Sequence, residues 1–317
     1  MSNQVACPIC VTGVSEHFTQ VDGHDFYACI ACESIHIAPD VLAKLDQGGS
    51  LVGDYTQEYW EQERVGAIER AQGLSLCRAG EAILYCRRPV RRFLDIGAGP
   101  GFLVRELQRL IDPDATLFHG IEKYPPPYAA HCPNLEIGDI HDLQGCFDAG
   151  VCIEVVEHLT PLMLDGLVRG IARVSSPGSL WLFNTGMPDY VRNEDPAYLD
   201  PVNRGHVVSY SLVGIAPYFE RHGFAVRPLP GRSFGFFVEY QPLESPGYET
   251  RFCTPLPENL GLLQRHGLLY HAAFETARSY FYYDGYLERT RWALSLDAAL
   301  KKKRRWFDSI FHRTDAT

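Results

Sequence analysis

The stretch that decides the fold is Arg91-Arg92-Phe93-Leu94-Asp95-Ile96-Gly97-Ala98-Gly99-Pro100-Gly101-Phe102. A short apolar run ends on Asp95, and glycines then stand at every second position. From Phe102 onward, Leu103, Leu107 and Leu110 share one helical face. The pattern predicts a strand, a tight glycine turn and a helix N-terminus, where free backbone N–H groups can meet a nucleotide-like ligand. The spacing is not the G-x-G-x-x-G of dinucleotide folds. Asp-x-Gly-x-Gly-x-Gly instead puts a carboxylate at the strand end, which suits a ligand carrying an ammonium group.

Those residues resemble motif I of the class I S-adenosylmethionine-dependent methyltransferases. The resemblance implies an α/β fold: a Rossmann-like seven-stranded sheet with helices on both faces. It implies that Asp95, Gly97, Ala98, Gly99, Gly101 and Phe102 hold the methionine end and ribose of S-adenosyl-L-methionine. Downstream, Thr116 to Ile121 reads as a second strand ending on Glu122, followed by Lys123. An acid roughly 20 positions past the glycine loop is where such folds bind ribose hydroxyls. Pro125-Pro126-Pro127 blocks a normal helix start, so a short helix is expected only from Tyr128. Asp139 and Ile140 match the family's adenine partners, with Asp142 as a rival acid.

A second signature is Phe147-Asp148-Ala149-Gly150-Val151-Cys152-Ile153-Glu154-Val155-Val156-Glu157-His158-Leu159. It resembles the family's fourth-strand motif, which implies that Ile153 and Glu154 border the cofactor. Glu157 and His158 then stand near the crevice outside the strand ends. Either they order the loop and cap the helix expected from Leu159, with Pro161 in its first turn, or His158 is a general base. Ser176-Pro177-Gly178-Ser179 reads as a turn before a strand through Thr185. The long loop from Gly186 to Gly205 ends in Arg204-Gly205-His206-Val207-Val208-Ser209-Tyr210. That segment resembles one seen in small-molecule methyltransferases. His206 is the leading candidate for substrate contact or proton removal, with a structural histidine as the equal alternative. Phe224 to Leu229 and Phe234 to Tyr240 read as a closing hairpin.

Cys7-Pro8-Ile9-Cys10 and Cys29-Ile30-Ala31-Cys32 are two C-x-x-C units at the spacing of a four-thiolate zinc site. Short strands around Asp22-Gly23 are expected between them. So small a segment buries little core, and structural Zn2+ would supply folding energy. Four thiolates leave no open coordination position, so this metal is not catalytic. His17, His24 and His36 read as surface histidines. Gln47 to Ser50 marks a hinge, closing a zinc-binding ribbon over residues 1–52.

Residues 53–90 read as a helical cover, with Tyr55 and Tyr59 on one face, either packing on the next domain or closing over its site. Tyr59 is therefore a candidate cofactor contact. The layout of ribbon, aromatic helix and motif I is similar to bacterial methyltransferases of sugars and small metabolites. The methyltransferase domain spans 91–242. Residues 243–317 form a connector through Asn259 and a helical extension. Its aromatic cluster at Tyr280 to Tyr283 packs on the main domain or on a second subunit as a homodimer. Its basic-aromatic stretch 301–311 is a solvated helix end or a weak membrane-surface contact.

A net charge of −10 argues against a general nucleic-acid binder. Ten cysteines without a secretory signal point to metal or free thiols and to the cytoplasm. The expected activity is O-methylation of a sugar, glycan precursor or small metabolite. The alternatives are C- or N-methylation, an RNA methyltransferase and a non-catalytic scaffold.

Overall fold

The computed structural model describes residues 4–52, 57–128 and 132–311, with the side chains of residues 57, 59, 60 and 305–311 also outside the description. At the N-terminus β1 (Gln4–Ala6), β2 (Val14–Val21), β3 (His24–Cys29) and β4 (Ile35–Ile37) form an antiparallel meander. Asp22 and Gly23 are both left-handed, as a tight hairpin turn requires. A helix, α1 (Pro39–Asp46), follows and leads into the expected hinge at Gln47. The polar helix α2 (Gln57–Gln72) and the buried helix α3 (Leu74–Tyr85) follow.

The second sheet is built as the glycine loop predicted. β5 (Phe93–Ile96) leads through the loop into α4 (Phe102–Ile111), then β6 (Phe118–Glu122), β7 (Leu135–Ile137) and β8 (Phe147–Ile153). From Lys123 to Tyr128, across the three prolines, the chain is not helical, and the short helix expected from Tyr128 falls on residues outside the description. After β8 comes a single 3-10 turn, Val156–His158, and then α5 (Pro161–Arg173), whose first-turn N–H of Met163 donates to Thr160 Oγ1 at 3.2 Å. β9 (Ser175–Gly186) includes the expected Ser-Pro-Gly-Ser turn as a bulge. Its pairing with β8 steps from Phe147↔Ser175 to Ala149↔Leu180 while Gly178 takes a positive φ.

The loop after β9 holds α6 (Pro188–Asn193) and a 3-10 turn, Pro196–Tyr198, before β10 (Val208–Ser209) and α7 (Leu212–Glu220). The expected hairpin is β11 (Phe224–Pro228) with β12 (Phe234–Tyr240). The stretch read as a connector contains α8 (Tyr248–Cys253) and α9 (Pro257–Gln264), ahead of the long α10 (Gly267–Phe311).

The strand order is β11-β12-β9-β8-β5-β6-β7, with β12 running against its neighbours and β5, β6, β7, β8 and β9 parallel. This is the seven-stranded, mostly parallel sheet that the resemblance implied. Successive residues of a strand face opposite sides. Leu94, Ile96, Trp181 and Phe183 enter a core shared with α5, α7 and the cysteine meander. Phe93, Leu180 and Leu182 enter a second core with α3, α4 and the C-terminal helices. Burial on both faces explains the nearly continuous apolar runs of these strands.

The meander is joined to the rest by β10, which pairs with β4 through His36↔Val208 and Ile35↔Ser209. Tyr218 of α7 donates to the Ile9 carbonyl at 2.8 Å. His36 is consequently fully buried beneath this joint, its Nε2 2.8 Å from Ser15 Oγ, and is not the surface histidine expected; His17 does lie at the surface beside Asp25.

The aromatic run of α10 divides by helical geometry. Phe281 packs on the core and Tyr280 lies under the Arg232 guanidinium, 3.8 Å from its ring centre, whereas Tyr282 and Tyr283 are more than half exposed. Among the described residues no helix is long and apolar enough to cross a membrane.

Candidate active site

The carboxyl ends of β5, β8 and β9 open on a cleft of about 480 Å³. Its near wall is the glycine loop. Gly97, Gly99 and Gly101 have φ of 70, 52 and 77°, the left-handed region that side chains disfavour. The N–H groups of Gly97 and Ala98 both donate to the Ile121 carbonyl, at 3.0 and 3.1 Å, which fixes the loop to β6. At Gly97 there is no space for a side chain, because a Cβ would meet Val155 Cγ2 at 2.4 Å.

Asp95 faces this cleft although almost fully buried. Burial, with Glu122 nearby, pushes its carboxyl up to about 8. A cationic group beside it would restore the charge that burial suppresses. Ala98, Phe102 and Ile153 line the same space, as the resemblance implied.

Four other residues assigned to the cofactor are engaged within the protein. Glu122 accepts the Gly99 N–H at 2.7 Å and the Tyr124 N–H at 2.7 Å, so its carboxylate braces the glycine loop. Lys123 and Asp139 form an ion pair at 2.8 Å outside the cleft. Asp142 Oδ2, the rival acid, accepts the Asp139 N–H at 3.3 Å. Ile140 is buried under α5 against Gly170. Tyr55 and the side chain of Tyr59 lie outside the described residues. The helix bearing Tyr59 does cover the site, since Glu63, Ala67, Arg70 and Ala71 of α2 form the opposite wall.

The floor carries the three residues proposed for chemistry. Glu154, His158 and His206 line the cleft, with Glu157 fully buried beside them. Glu154, just after β8, has φ 54°, a strained conformation for a residue with a side chain. Burial, and then the neighbouring Glu157, push its carboxyl up to about 9. Glu157 accepts the Thr185 hydroxyl at 2.9 Å, and its backbone carbonyl accepts the Val207 N–H at 2.9 Å. That second bond carries the His206 segment onto the 3-10 turn. The rings of His158 and His206 meet edge to face, 4.8 Å between centres. Burial pushes His206 down to about 4 against the pull of Glu157, so its imidazole is neutral near pH 7.

Asn184, in the strand that the sequence predicts through Thr185, also reaches the floor. Its Oδ1 accepts Arg78 Nε–H at 2.8 Å and its Nδ2 donates to Glu154 at 3.2 Å. Arg78 in turn pairs with Glu81 at 2.5 Å inside the protein, where Arg232 and Tyr85 also bond Glu81. The signal was present: Asn184-Thr185 is a polar pair at the carboxyl end of an apolar strand.

Away from the cleft, the four cysteine sulfurs lie within 4.8 Å of one another, with Cys7–Cys32 at 3.8 Å and Cys10–Cys29 at 3.7 Å. A tetrahedral ion with metal–sulfur bonds of about 2.3 Å requires sulfurs about 3.8 Å apart. Gly13 makes room for them, since a Cβ there would fall 2.7 Å from Cys29 Sγ and 2.8 Å from Cys10 Sγ.

No protein-family profile matches the chain, and no curated protein matches it. Solved structures do overlap it in part. An O-methyltransferase of neocarzinostatin biosynthesis, in complex with S-adenosylmethionine, is 19% identical with a TM-score of 0.37 over 47% of this chain and 48% of its own. An O-methyltransferase family protein from Burkholderia thailandensis is 15% identical with a TM-score of 0.46 over 59% and 60%. An amino pentose methyltransferase from Micromonospora echinaspora, with S-adenosylmethionine bound, is 16% identical with a TM-score of 0.41 over 59% and 98%. The chain thus spans about half the length of the neocarzinostatin enzyme. The seven-strand order, not these partial overlaps, defines the fold.

Proposed function

We propose that the chain is an S-adenosylmethionine-dependent methyltransferase acting on a hydroxyl of a sugar, glycan precursor or other small metabolite. The observation that carries this reading is the buried Asp95 beside a left-handed glycine loop, opening on the same cleft as His158 and His206. The loop and Asp95 would take the methionine end of the cofactor. The methyl carbon of a sulfonium is already activated, so the protein's task is to place a nucleophile in line with it. A hydroxyl must also lose a proton, and the histidines on the floor support an oxygen acceptor over an amine. The four-cysteine cluster is proposed to hold one structural Zn2+, in keeping with its sulfur spacing.

Titration calorimetry with S-adenosylhomocysteine tests the reading. Wild-type protein should bind it and Asp95→Ala should not. Absence of binding to wild type overturns the assignment.

A further inference from the structure

The floor of the cleft is built around one point. Glu157, His158 and His206 each offer a ligand atom there, all within 4.8 Å of one another. Each is fastened from behind. His158 Nδ1 lies 3.2 Å from the Gly205 carbonyl and His206 Nδ1 lies 2.7 Å from the Tyr198 carbonyl. A carbonyl can only accept, so both Nδ1 atoms carry the proton and both Nε2 atoms keep a lone pair. Glu157 Oε2 accepts the Thr185 hydroxyl, but Oε1 is buried without a hydrogen-bond partner. It sits 4.0 Å from His206 Nε2, so two electron-pair donors face each other with no proton between them. Glu154 lines the same cleft.

A cation between these donors removes the repulsion without protonating anything. Backbone carbonyls on the far nitrogens are also how metal-ligating histidines are held in one tautomer and orientation. We propose that Glu157, His158 and His206 bind one divalent first-row metal ion at the floor of the cleft, separate from the four-cysteine site. Two imidazoles and one carboxylate suit manganese, iron, cobalt, nickel or zinc. Three protein ligands leave positions open toward the cleft, where the oxygen of the acceptor can bind.

This role rests on the methyltransferase reading. The ion lowers the affinity of the acceptor oxygen for its proton, which passes to water. The oxygen lone pair then forms the O–CH3 bond while the C–S electron pair returns to sulfur, leaving neutral S-adenosylhomocysteine. No oxidant or reductant is required.

The test uses full-length protein as purified, its four-cysteine site left loaded. Mn2+ binding is followed by loss of the free-ion paramagnetic resonance signal, and Co2+ binding by visible bands of a nitrogen–oxygen environment without thiolate charge transfer. Wild type should take up about one ion per chain beyond the cysteine site. Glu157→Gln and His158→Gln keep an amide of similar size, and each should weaken uptake at least roughly tenfold with S-adenosylhomocysteine affinity unchanged. Uptake of neither ion by wild type, or equal uptake by both variants, overturns the site. Metal uptake without S-adenosylhomocysteine binding would retain the site and overturn the methyltransferase reading; the reverse pattern would do the opposite.

Discussion

Cofactor binding should expel a countable proton from Asp95. Its carboxyl is 4% exposed and raised to about 8 by burial and by Glu122. At pH 7 the free protein therefore holds it about nine-tenths protonated. An ammonium group binds the carboxylate form, so association at pH 7 should release about 0.9 proton and forgo about 1.4 kcal/mol relative to high pH. Affinity should rise about tenfold per pH unit below pH 8 and level off above it. The folding consequence has the opposite slope. Between the ordinary 3.8 and about 8 the folded state binds more protons than the unfolded one, so stability falls as pH rises through that window.

The assay is calorimetric titration with S-adenosylhomocysteine, whose neutral sulfur leaves the ammonium as its only cation, in pH 7 buffers of different protonation enthalpy. The slope of observed heat against buffer enthalpy counts protons. Asp95→Asn separates this group from Glu154, which is also raised. A wild-type slope near zero, or an equal slope in Asp95→Asn, refutes the assignment of the ammonium partner.

Other substitutions probe the surrounding architecture. Gly13→Ala pushes a methyl into Cys10 and Cys29, and elemental analysis should find well under one zinc per chain after mild chelation that leaves wild type loaded. Gly97→Ala adds a collision with Val155 to a disfavoured φ, whereas Gly99→Ala meets open space and only the strain of φ 52°. Gly99→Ala should cost on the order of 1 kcal/mol, and thermal denaturation should show Gly97→Ala distinctly worse; equal losses would deny the tight loop packing. Arg251 is buried and bonded to both oxygens of Glu239, at 2.9 and 2.6 Å, and to the Tyr85 carbonyl at 3.0 Å. Arg251→Ala leaves that buried carboxylate only the Arg227 guanidinium, 3.9 Å away, and should destabilise by about 3–5 kcal/mol in denaturant unfolding.

The parallel core of the fold was legible because its signals are local. A strand, a glycine turn and an amphipathic helix are contiguous from Phe93 to Ile111, and the two C-x-x-C turns declare themselves by spacing. What stayed hidden depends on partners distant in sequence. His36 reads as a polar residue in a small polar module, and only its pairing with Val208 buries it. Glu122 has the residue type and spacing of a ribose ligand, but its bond to the Gly99 N–H depends on where β6 ends. Tyr280 to Tyr283 look alike in sequence, while the direction of α10 and the placement of Arg232 decide which of them face inward. The floor of the cleft was half visible: Glu157 and His158 are adjacent, but His206 joins them by way of the Val207 bond.

The pairing of β4 with β10 also sets an order on biosynthesis. His36 leaves the ribosome early, and its strand partner Val208 follows about 170 residues later. At ~5–20 residues per second that interval is roughly 10 to 30 s. Throughout it β4 is an open strand edge above a thiolate cluster, a template for pairing with other nascent chains. Metal captured early by the four cysteines would hold the meander in register until its last strand arrives. In that view the ion acts first as a timer's latch, keeping one end of the protein ready for the other.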